Sequence, residues 1–374
     1  MKILHVFKTA HPFTQGGLEE SIRQIALNTA GRAEAIDVAC IAPPGAEGTY
    51  HHDYARLFAY RPDWRVSTCP VAVRLIPFLR RAQHSYDIIH LHAPWPFAEM
   101  AQALSPGGRA RCVVTYHADI VNREPLASLY RPLLRRMLDR CDSVVATSQA
   151  YIESSPVLCR LKRRPSVIPL GIDPGSYPSP DPARVAHWRA RLGTGFFLFL
   201  GVLRYYKGLD VLAAASRDLP VPTVVVGDGP EAPRLDRLAV DEKNLVRTGY
   251  LPDGDKMALL HLARAVVLPS TQRAEAFGLA LLEGAMAGRA LISTRLGTGT
   301  NTVNQHEVTG LVVPPGDPAA LAGAMARLHR HPGDAAAFGD AARARFETCY
   351  TGRTMGMAYA DLYESLLKGV SPFT

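Results

Sequence analysis

The chain has 374 residues, 47% of them hydrophobic and 20% charged, with a formal net charge of +8. That length suggests two domains with ample core, and the longest apolar run, FFLFLGVL at 196–203, is far too short to span a bilayer. The excess charge lies early: residues 1–180 hold 21 Lys and Arg against 15 Asp and Glu, residues 181–374 hold 21 against 19, a balance that admits anionic ligands, anionic membranes or nucleic acid and chooses among none.

Residues 2–7, KILHVF, read as a buried strand, and MKILHVFK lacks the apolar segment and cleavage site of a signal peptide. Gly16-Gly17 lies between this strand and a helix beginning near Leu18. A glycine pair there either lets the backbone approach an anionic ligand or makes an ordinary tight turn. It is neither a GxGxxG fingerprint nor a P-loop. IDVACIAP at 36–43 is a second strand, and residues 44–70 read as irregular, with His51-His52 in a surface loop. VAVRLIPFLRRAQ at 71–83 has helical apolar spacing, with Arg74, Arg80 and Arg81 on the other face. On the strand YDIIHLHAP at 86–94, His90 and His92 point to one side, as a metal pair would, without an evident third ligand. RCVVTYHADI at 111–120 is a strand ending in His117 and Asp119, where α/β sheets place ligand contacts. LASLYRPLLRRMLDRC at 126–141 is an amphipathic, basic helix carrying Arg131, Arg135, Arg136 and Arg140. A strand (DSVVATS), a helix with a basic loop (AYIESSPVLCRLKRRP) and a short strand (SVIPLGID) follow. Continuous apolar strands alternating with helices predict a parallel sheet covered on both faces. The six cysteines are scattered without metal spacing, which points to reduced, mostly buried thiols and the cytoplasm.

PGSYPSPDPAR at 174–184 is the best linker candidate. Beyond it the alternation restarts, with strands at FFLFLGVL, TVVVGDGP, NLVRTGYL, ARAVVLP, ALISTRLGT and TGLVVPPGD. Helices lie within RYYKGLDVLAAAS, DKMALLHLA, LALLEGAMAGRA, PAALAGAMARLHR and TMGMAYADLYESLLKG. In PSTQRAEAFGLALLE, Glu275 stands on a strand-to-helix loop and Glu283 about two turns into a helix ending near Gly288. An α/β protein of two doubly wound parallel sheets facing a cleft is therefore predicted, with ligands at the carboxyl ends of the strands. At those ends Arg204 and Lys207 suit a diphosphate, and VGDGP, with Gly229, offers a tight turn. Tyr250 and Leu251 offer main chain to a planar base, and RLGTGT puts small residues beside the helix of Glu283. Together the loops fit a sugar nucleotide, with Glu283 on ribose hydroxyls and Glu275 on a sugar hydroxyl. Each charge taken alone reads equally as a solvated loop charge.

EAFGLALLE resembles the E-x7-E signature of the retaining glycosyltransferases of family 4, which have the GT-B fold. The early glycine pair, TYHAD, SVIPLGID, GVLRYYKG, VVVGDGP and TGLVVPPGD resemble that family in order, over essentially the whole chain. FFLFLGVLRYYKGLDVL, RAEAFGLALLEGA, LISTRLGTGTNTVNQ and YHADIV are similar, more closely, to bacterial O-antigen α-1,3-mannosyltransferases. Those use GDP-mannose and a polyprenyl-diphosphate-linked GlcNAc acceptor; relatives that transfer D-rhamnose from GDP-D-rhamnose share the motifs, and a UDP-sugar donor stays a further alternative. The resemblance implies retaining hexosyl transfer without metal or cofactor, by a peripheral protein on the inner face of the cytoplasmic membrane. By position, it implies that Glu275 contacts donor-sugar hydroxyls and Glu283 the ribose. Phe277, Gly278 and Leu279 would offer amides to phosphate or sugar, His117 would contact the transferred sugar, and Gly16-Gly17 would lie against diphosphate and acceptor. It further implies an acceptor-binding domain at 1–172, a nucleotide-sugar-binding domain at 173–354 and a C-terminal helix at 355–374 that packs back on the first. RYYKG departs from relatives with a longer loop between the two cations, which leaves open whether both Arg204 and Lys207 touch the diphosphate.

With that resemblance, the Arg-rich helices at 71–83 and 126–141 either dock on an anionic leaflet or are ordinary solvated faces. A nucleotide-linked oxidoreductase or epimerase calls for a GxGxxG followed by an acid, which neither half contains. A nucleic-acid module calls for a motif that is likewise absent. A non-catalytic sugar-nucleotide binder has no need of the Glu275, Glu283 and His117 set. Alanine at Glu275 or Lys207 is expected to abolish transfer and leave the fold intact.

Overall fold

The computed structural model describes residues 1–66, 69–121, 124–241 and 244–370. The chain forms two units, Met1–Gly171 joined by the chain from Gly352 on, and Ile172–Thr351. In order, the first unit runs β1 (Lys2–Val6), α1 (Gly17–Thr29), β2 (Ala35–Ile41), β3 (Gly48–His51), β4 (Arg56–Tyr60), β5 (Trp64–Val66), β6 (Cys69–Val71), α2 (Leu75–Ser85), β7 (Ile88–Ala93), α3 (Pro96–Ala103), β8 (Arg111–Tyr116), α4 (Glu124–Leu138), β9 (Ser143–Ala146), α5 (Gln149–Ser154) and β10 (Ser166–Val167). Its eight-stranded sheet has the order β10-β9-β8-β7-β1-β2-β4-β3. All neighbours are parallel except β3, which pairs antiparallel with β4 at the edge. β7 is buried along its whole length, as its unbroken apolar-and-His sequence requires of a central strand.

The second unit runs α6 (Pro182–Leu192), β11 (Phe197–Leu200), α7 (Leu209–Ser216), β12 (Thr223–Val226), α8 (Ala232–Asp241), β13 (Leu245–Gly249), α9 (Asp253–Leu262), β14 (Ala265–Leu268), α10 (Leu279–Met286), β15 (Ala290–Thr294), α11 (Thr300–Val303), β16 (Gly310–Val313), α12 (Pro318–Arg330) and α13 (Pro332–Cys349). Its six strands are all parallel, in the order β13-β12-β11-β14-β15-β16. Both sheets thus reverse their winding at one point, between β1 and β7 and between β11 and β14. Loops diverge there and leave room for a ligand. Afterwards α14 (Gly352–Leu367) returns the chain to the first unit and packs on α1. Among the described residues no helix is long and apolar enough to cross a membrane.

Several expectations need correction. The stretch 44–70 is not irregular: β4 joins the main sheet beside β2, β3 closes its edge and carries His51, and β5 and β6 form a separate hairpin. These strands are short and half-exposed, so their periodicity is weak. The helix expected at 71–83 begins at Leu75, because Val71 belongs to β6 and Arg74 is its N-cap. α3, α6, α8, α11 and α13 are not among the expected helices. α13 buries Phe338 and Phe346, but the rest of its buried face is Ala335, Gly339 and Ala342, and further alanines lie on its other faces, so it shows little apolar contrast. Residues 371–374 of the helix expected at 355–374 lie outside the described residues. The thiols are free, but only Cys40 and Cys141 are buried, and Cys159 is exposed.

The α1–α14 contact depends on a missing side chain. A Cβ at Gly356 would lie 2.4 Å from the Asn28 carbonyl oxygen, whereas a Cβ at Gly323, inside α12, would meet nothing within 4 Å. Gly356→Val is therefore expected to lower stability by about 1–3 kcal/mol through overpacking. Gly323→Ala is expected to raise it by about 0.5–1 kcal/mol through helix propensity. Thermal unfolding of both variants checks this, and equal melting temperatures would contradict the close helix contact.

Candidate active site

β11 and β14 are neighbours, so the loops leaving them meet. Gly208, at φ +67°, has no room for a side chain: a Cβ would lie 2.1 Å from the Pro269 carbonyl oxygen. Only glycine lets the loop after β11 close on the loop after β14, and the Thr271 amide completes the contact by donating to Tyr206 O at 2.8 Å. This closure sets Lys207 Nζ 2.5 Å from Glu275 Oε2, with the two side chains 12% and 9% exposed. Ser270 Oγ donates to the same carboxylate oxygen at 3.0 Å. Thr298 Oγ1 donates to the Glu275 carbonyl at 2.8 Å, and the Gly299 amide to the Ala276 carbonyl at 2.8 Å. Burial is the largest influence and pulls the Lys207 ammonium down, but the charge of Glu275, its hydrogen bond and nearby Tyr206 together outweigh it, and the net shift is upward.

Phe277 is buried. Gly278, at φ +85°, is the N-cap of α10, and no side chain caps that end. The Leu281 amide donates to the Gly278 carbonyl at 2.9 Å, and the amides of Leu279 and Ala280, at the start of the helix, carry a partial positive charge. Glu283 is the fifth residue of α10, about one turn in rather than two, because residues 275–278 are not helical. Tyr177 Oη donates to Glu283 Oε1 at 3.4 Å, and Lys256 Nζ lies 4.0 Å away. Arg204 is exposed and, among the described residues, unpaired. Gly229 is a packing glycine: a Cβ there would lie 2.6 Å from Leu203 O, so its turn rests on the Arg204 loop. Tyr250 is 56% exposed and Leu251 half-buried. A cavity of about 380 Å³ in the same unit, lined in part by Arg189, Arg264, Arg289 and Asp340, contains none of these residues.

In the first unit β1 and β7 are the neighbours at the reversal. Gly16 is the extended N-cap of α1, at φ −150°, and Gly17 its first residue, so no left-handed backbone demands glycine there. His117 follows β8, and its Nε2 lies 2.9 Å from His92 Nδ1. His92 Nε2 in turn lies 3.1 Å from His5 Nδ1. His5 is the third imidazole that the sequence did not reveal beside His90 and His92, because only the β1–β7 register brings it there. Possible ligand atoms of these three lie within 4.8 Å of one another. Yet five of their six ring nitrogens are already in hydrogen bonds, including those of His90 to Thr115 Oγ1 and Tyr363 Oη, both at 2.7 Å. The cluster is a hydrogen-bonded network in which only His5 Nε2 lacks a partner. Burial pushes His5 and His117 down to about 3, and His90 and His92 well below the ordinary value, so all four are neutral.

Residues 15–176 match the family described as Glycosyltransferase Family 4, and residues 185–345 that described as Glycosyl transferases group 1. The chain is 40% identical to O-antigen chain mannosyltransferase C of Escherichia coli, over 99% of this chain and 100% of that one. The chain belongs to glycosyltransferase family 4. This family-4 chain is also 39% identical to D-rhamnosyltransferase WbpZ of Pseudomonas aeruginosa, over 94% of its own length and 92% of the other. Its fold is that of the GT-B glycosyltransferases. The sucrose-phosphate synthase of Thermosynechococcus elongatus superposes with a TM-score of 0.82 at 21% identity, covering 98% and 99% of the two chains.

For this glycosyltransferase, the residues that sequence reasoning missed are the supports: Gly208, Ser270, Thr298 and His5. Gly208 carried a signal, a glycine directly after the cation of RYYKG, and Thr298 lies in RLGTGT; Ser270 and His5 carried none. The Lys207–Glu275 contact also changes one expectation. Removing one partner of a buried pair strands the other charge, so Glu275→Ala or Lys207→Ala is expected to cost about 3–5 kcal/mol of stability and not leave the fold untouched. Replacing both by apolar residues should cost less than the sum; urea unfolding of the double-mutant cycle checks it, and additive losses would contradict the pairing. The imidazoles make a second prediction. Their folded pKa values lie below the unfolded value, so the unfolded state binds more protons. Stability is complete above about pH 6.5 and falls below it, by about 1.4 kcal/mol per pH unit for each imidazole. Urea unfolding between pH 7 and pH 5 should show this slope, smaller in His5→Phe; a flat wild-type profile would contradict neutral burial.

Proposed function

We propose that this glycosyltransferase moves mannose, with retention, from GDP-mannose to a polyprenyl-diphosphate-linked saccharide in O-antigen synthesis, forming an α-1,3 linkage. What carries the assignment is end-to-end similarity to an enzyme named as an O-antigen mannosyltransferase, together with a buried Lys207–Glu275 pair where the sheet reverses. In this scheme Arg204 and Lys207 take the diphosphate, Glu275 a donor-sugar hydroxyl and Glu283 the ribose. Amides of Phe277, Gly278 and Leu279 meet phosphate or sugar. The turn at Gly229 and the main chain of Tyr250 and Leu251 meet the nucleotide. His117 contacts the transferred sugar, and Gly16-Gly17 lies against diphosphate and acceptor. The first unit thus takes the acceptor and the second the nucleotide sugar. The bond from the anomeric carbon to the diphosphate breaks as the bond to the acceptor oxygen forms on the same face. The departing phosphate oxygen receives the acceptor's proton. The protein contributes position and stabilisation of the leaving charge. Two side-chain cations and the α10 amides supply that stabilisation, so the scheme needs neither metal nor cofactor.

D-Rhamnose from GDP-D-rhamnose is a second reading, favoured by the nearly equal identity to a D-rhamnosyltransferase. We place the protein on the inner face of the cytoplasmic membrane, held by exposed Arg74, Arg80 and Arg81 on and beside α2 and by Arg136 and Arg140 on and after α4. Each basic residue near an anionic surface contributes about 1 kcal/mol.

A panel of GDP-mannose, GDP-D-rhamnose and UDP-sugars with a polyprenyl-diphosphate-GlcNAc acceptor tests the assignment. Transfer from GDP-mannose, undiminished by EDTA, is expected; transfer from UDP-sugars alone would overturn it. Glu275→Gln, which keeps the shape of the site, is expected to lower turnover by about 100-fold or more. Flotation should show binding to anionic vesicles that is lost on neutral ones, and equal binding to both would sink the electrostatic account.

A further inference from the structure

One face of the first unit's sheet carries a file of imidazoles, of which only the last, His117, has a part in the proposed transfer. His5 Nδ1 to His92 Nε2 is 3.1 Å, and His92 Nδ1 to His117 Nε2 is 2.9 Å. A neutral imidazole has one N–H and one lone pair. His92 uses both nitrogens, so the two bonds run the same way along the file. The ends decide the direction. His5 Nε2 is buried without a partner. His117 Nδ1 makes no hydrogen bond to the described protein and is not among the buried unpartnered atoms, so it lies where the residue keeps its last 4% exposure. A file running from His117 inward would strand an N–H at His5 Nε2 in the core. One running outward leaves only an unshared lone pair there, and buried orphan N–H groups are the rarer of the two.

We infer that the file is directional. His5 donates from Nδ1 to His92, His92 donates from Nδ1 to His117, and His117 is thereby held as the Nδ1–H tautomer, a neutral donor for a sugar oxygen and not a base. His5 and His92 are positioning residues. His90 does not compete, because Thr115 and Tyr363 engage both its nitrogens. The consequence for transfer rests on His117 touching the transferred sugar; the tautomer does not.

Long-range ¹H–¹⁵N spectra of the histidine-labelled full chain read the tautomer directly, with His117→Gln for assignment. His117 is expected to be protonated at Nδ1 and unprotonated at Nε2. In His5→Asn the side-chain amide replaces the Nδ1 donor, so that tautomer and turnover should persist. His5→Leu removes the donor. His117 should then show a mixture of tautomers, with turnover lowered about tenfold and the KM for donor changed less than about twofold, as for one lost hydrogen bond in the transition state. Circular dichroism confirms that both variants are folded. His117 found protonated at Nε2 in the wild type overturns the inference, whatever the assay shows. So does zinc bound by His5, His90 and His92 in the purified protein, since ligation consumes the lone pairs. The expected tautomer in a protein that transfers no sugar would uphold the directional file and sink the proposed function.

Discussion

Close backbone approach between loops at the carboxyl ends of the second sheet is the constraint on which the candidate site depends. Cβ atoms at Gly208, Gly227 and Gly229 would lie 2.1, 2.0 and 2.6 Å from carbonyl oxygens of Pro269, Gly201 and Leu203. Parallel strands deliver their loops to one edge, and glycine lets those loops lie on one another there. The buried Lys207–Glu275 pair follows from that packing. Two charges taken from water are tolerated only because they are close, and Ser270 fills a further lone pair of the carboxylate. Thr298 and Gly299 then fix the backbone that carries Glu275 by donating to the Glu275 and Ala276 carbonyls.

The first unit solves the same topological problem with neutral groups. It too reverses between adjacent strands, β1 and β7, but what stands there is a network of imidazoles and hydroxyls, not an ion pair. Burial keeps the imidazoles uncharged, so their hydrogen bonds have direction without net charge. α14 is part of this arrangement, because Tyr359 and Tyr363 reach from it to Thr115 and His90. The last helix of the chain therefore helps to support the neighbourhood of His117, well beyond its packing on α1.

Legibility followed the kind of interaction. The main buried strands were readable because continuous apolar runs are what a doubly covered parallel sheet needs. β3 to β6 were not, since short, half-exposed strands have weak alternation, and neither was α13, whose buried face mixes Phe338 and Phe346 with alanine and glycine. Glu275, Lys207 and His117 were readable as residues at strand ends, and Glu283 as a helix residue just beyond one. Their partners were not: Ser270 looks like any loop serine, and His5 looks like an odd polar residue in a strand.

The amino-acid order by itself determined the two α/β halves, the glycine-punctuated strand ends and the family, because these are carried by local periodicity and by contiguous motifs. Tertiary structure alone decided which of those motifs touch. Lys207 and Glu275 are 68 positions apart and His5 and His92 are 87 apart. Each pair meets only because parallel strands distant in sequence are neighbours in a sheet. Spacing along a chain carries no record of sheet register, so the ion pair and the direction of the imidazole file appear only once the strands are laid side by side.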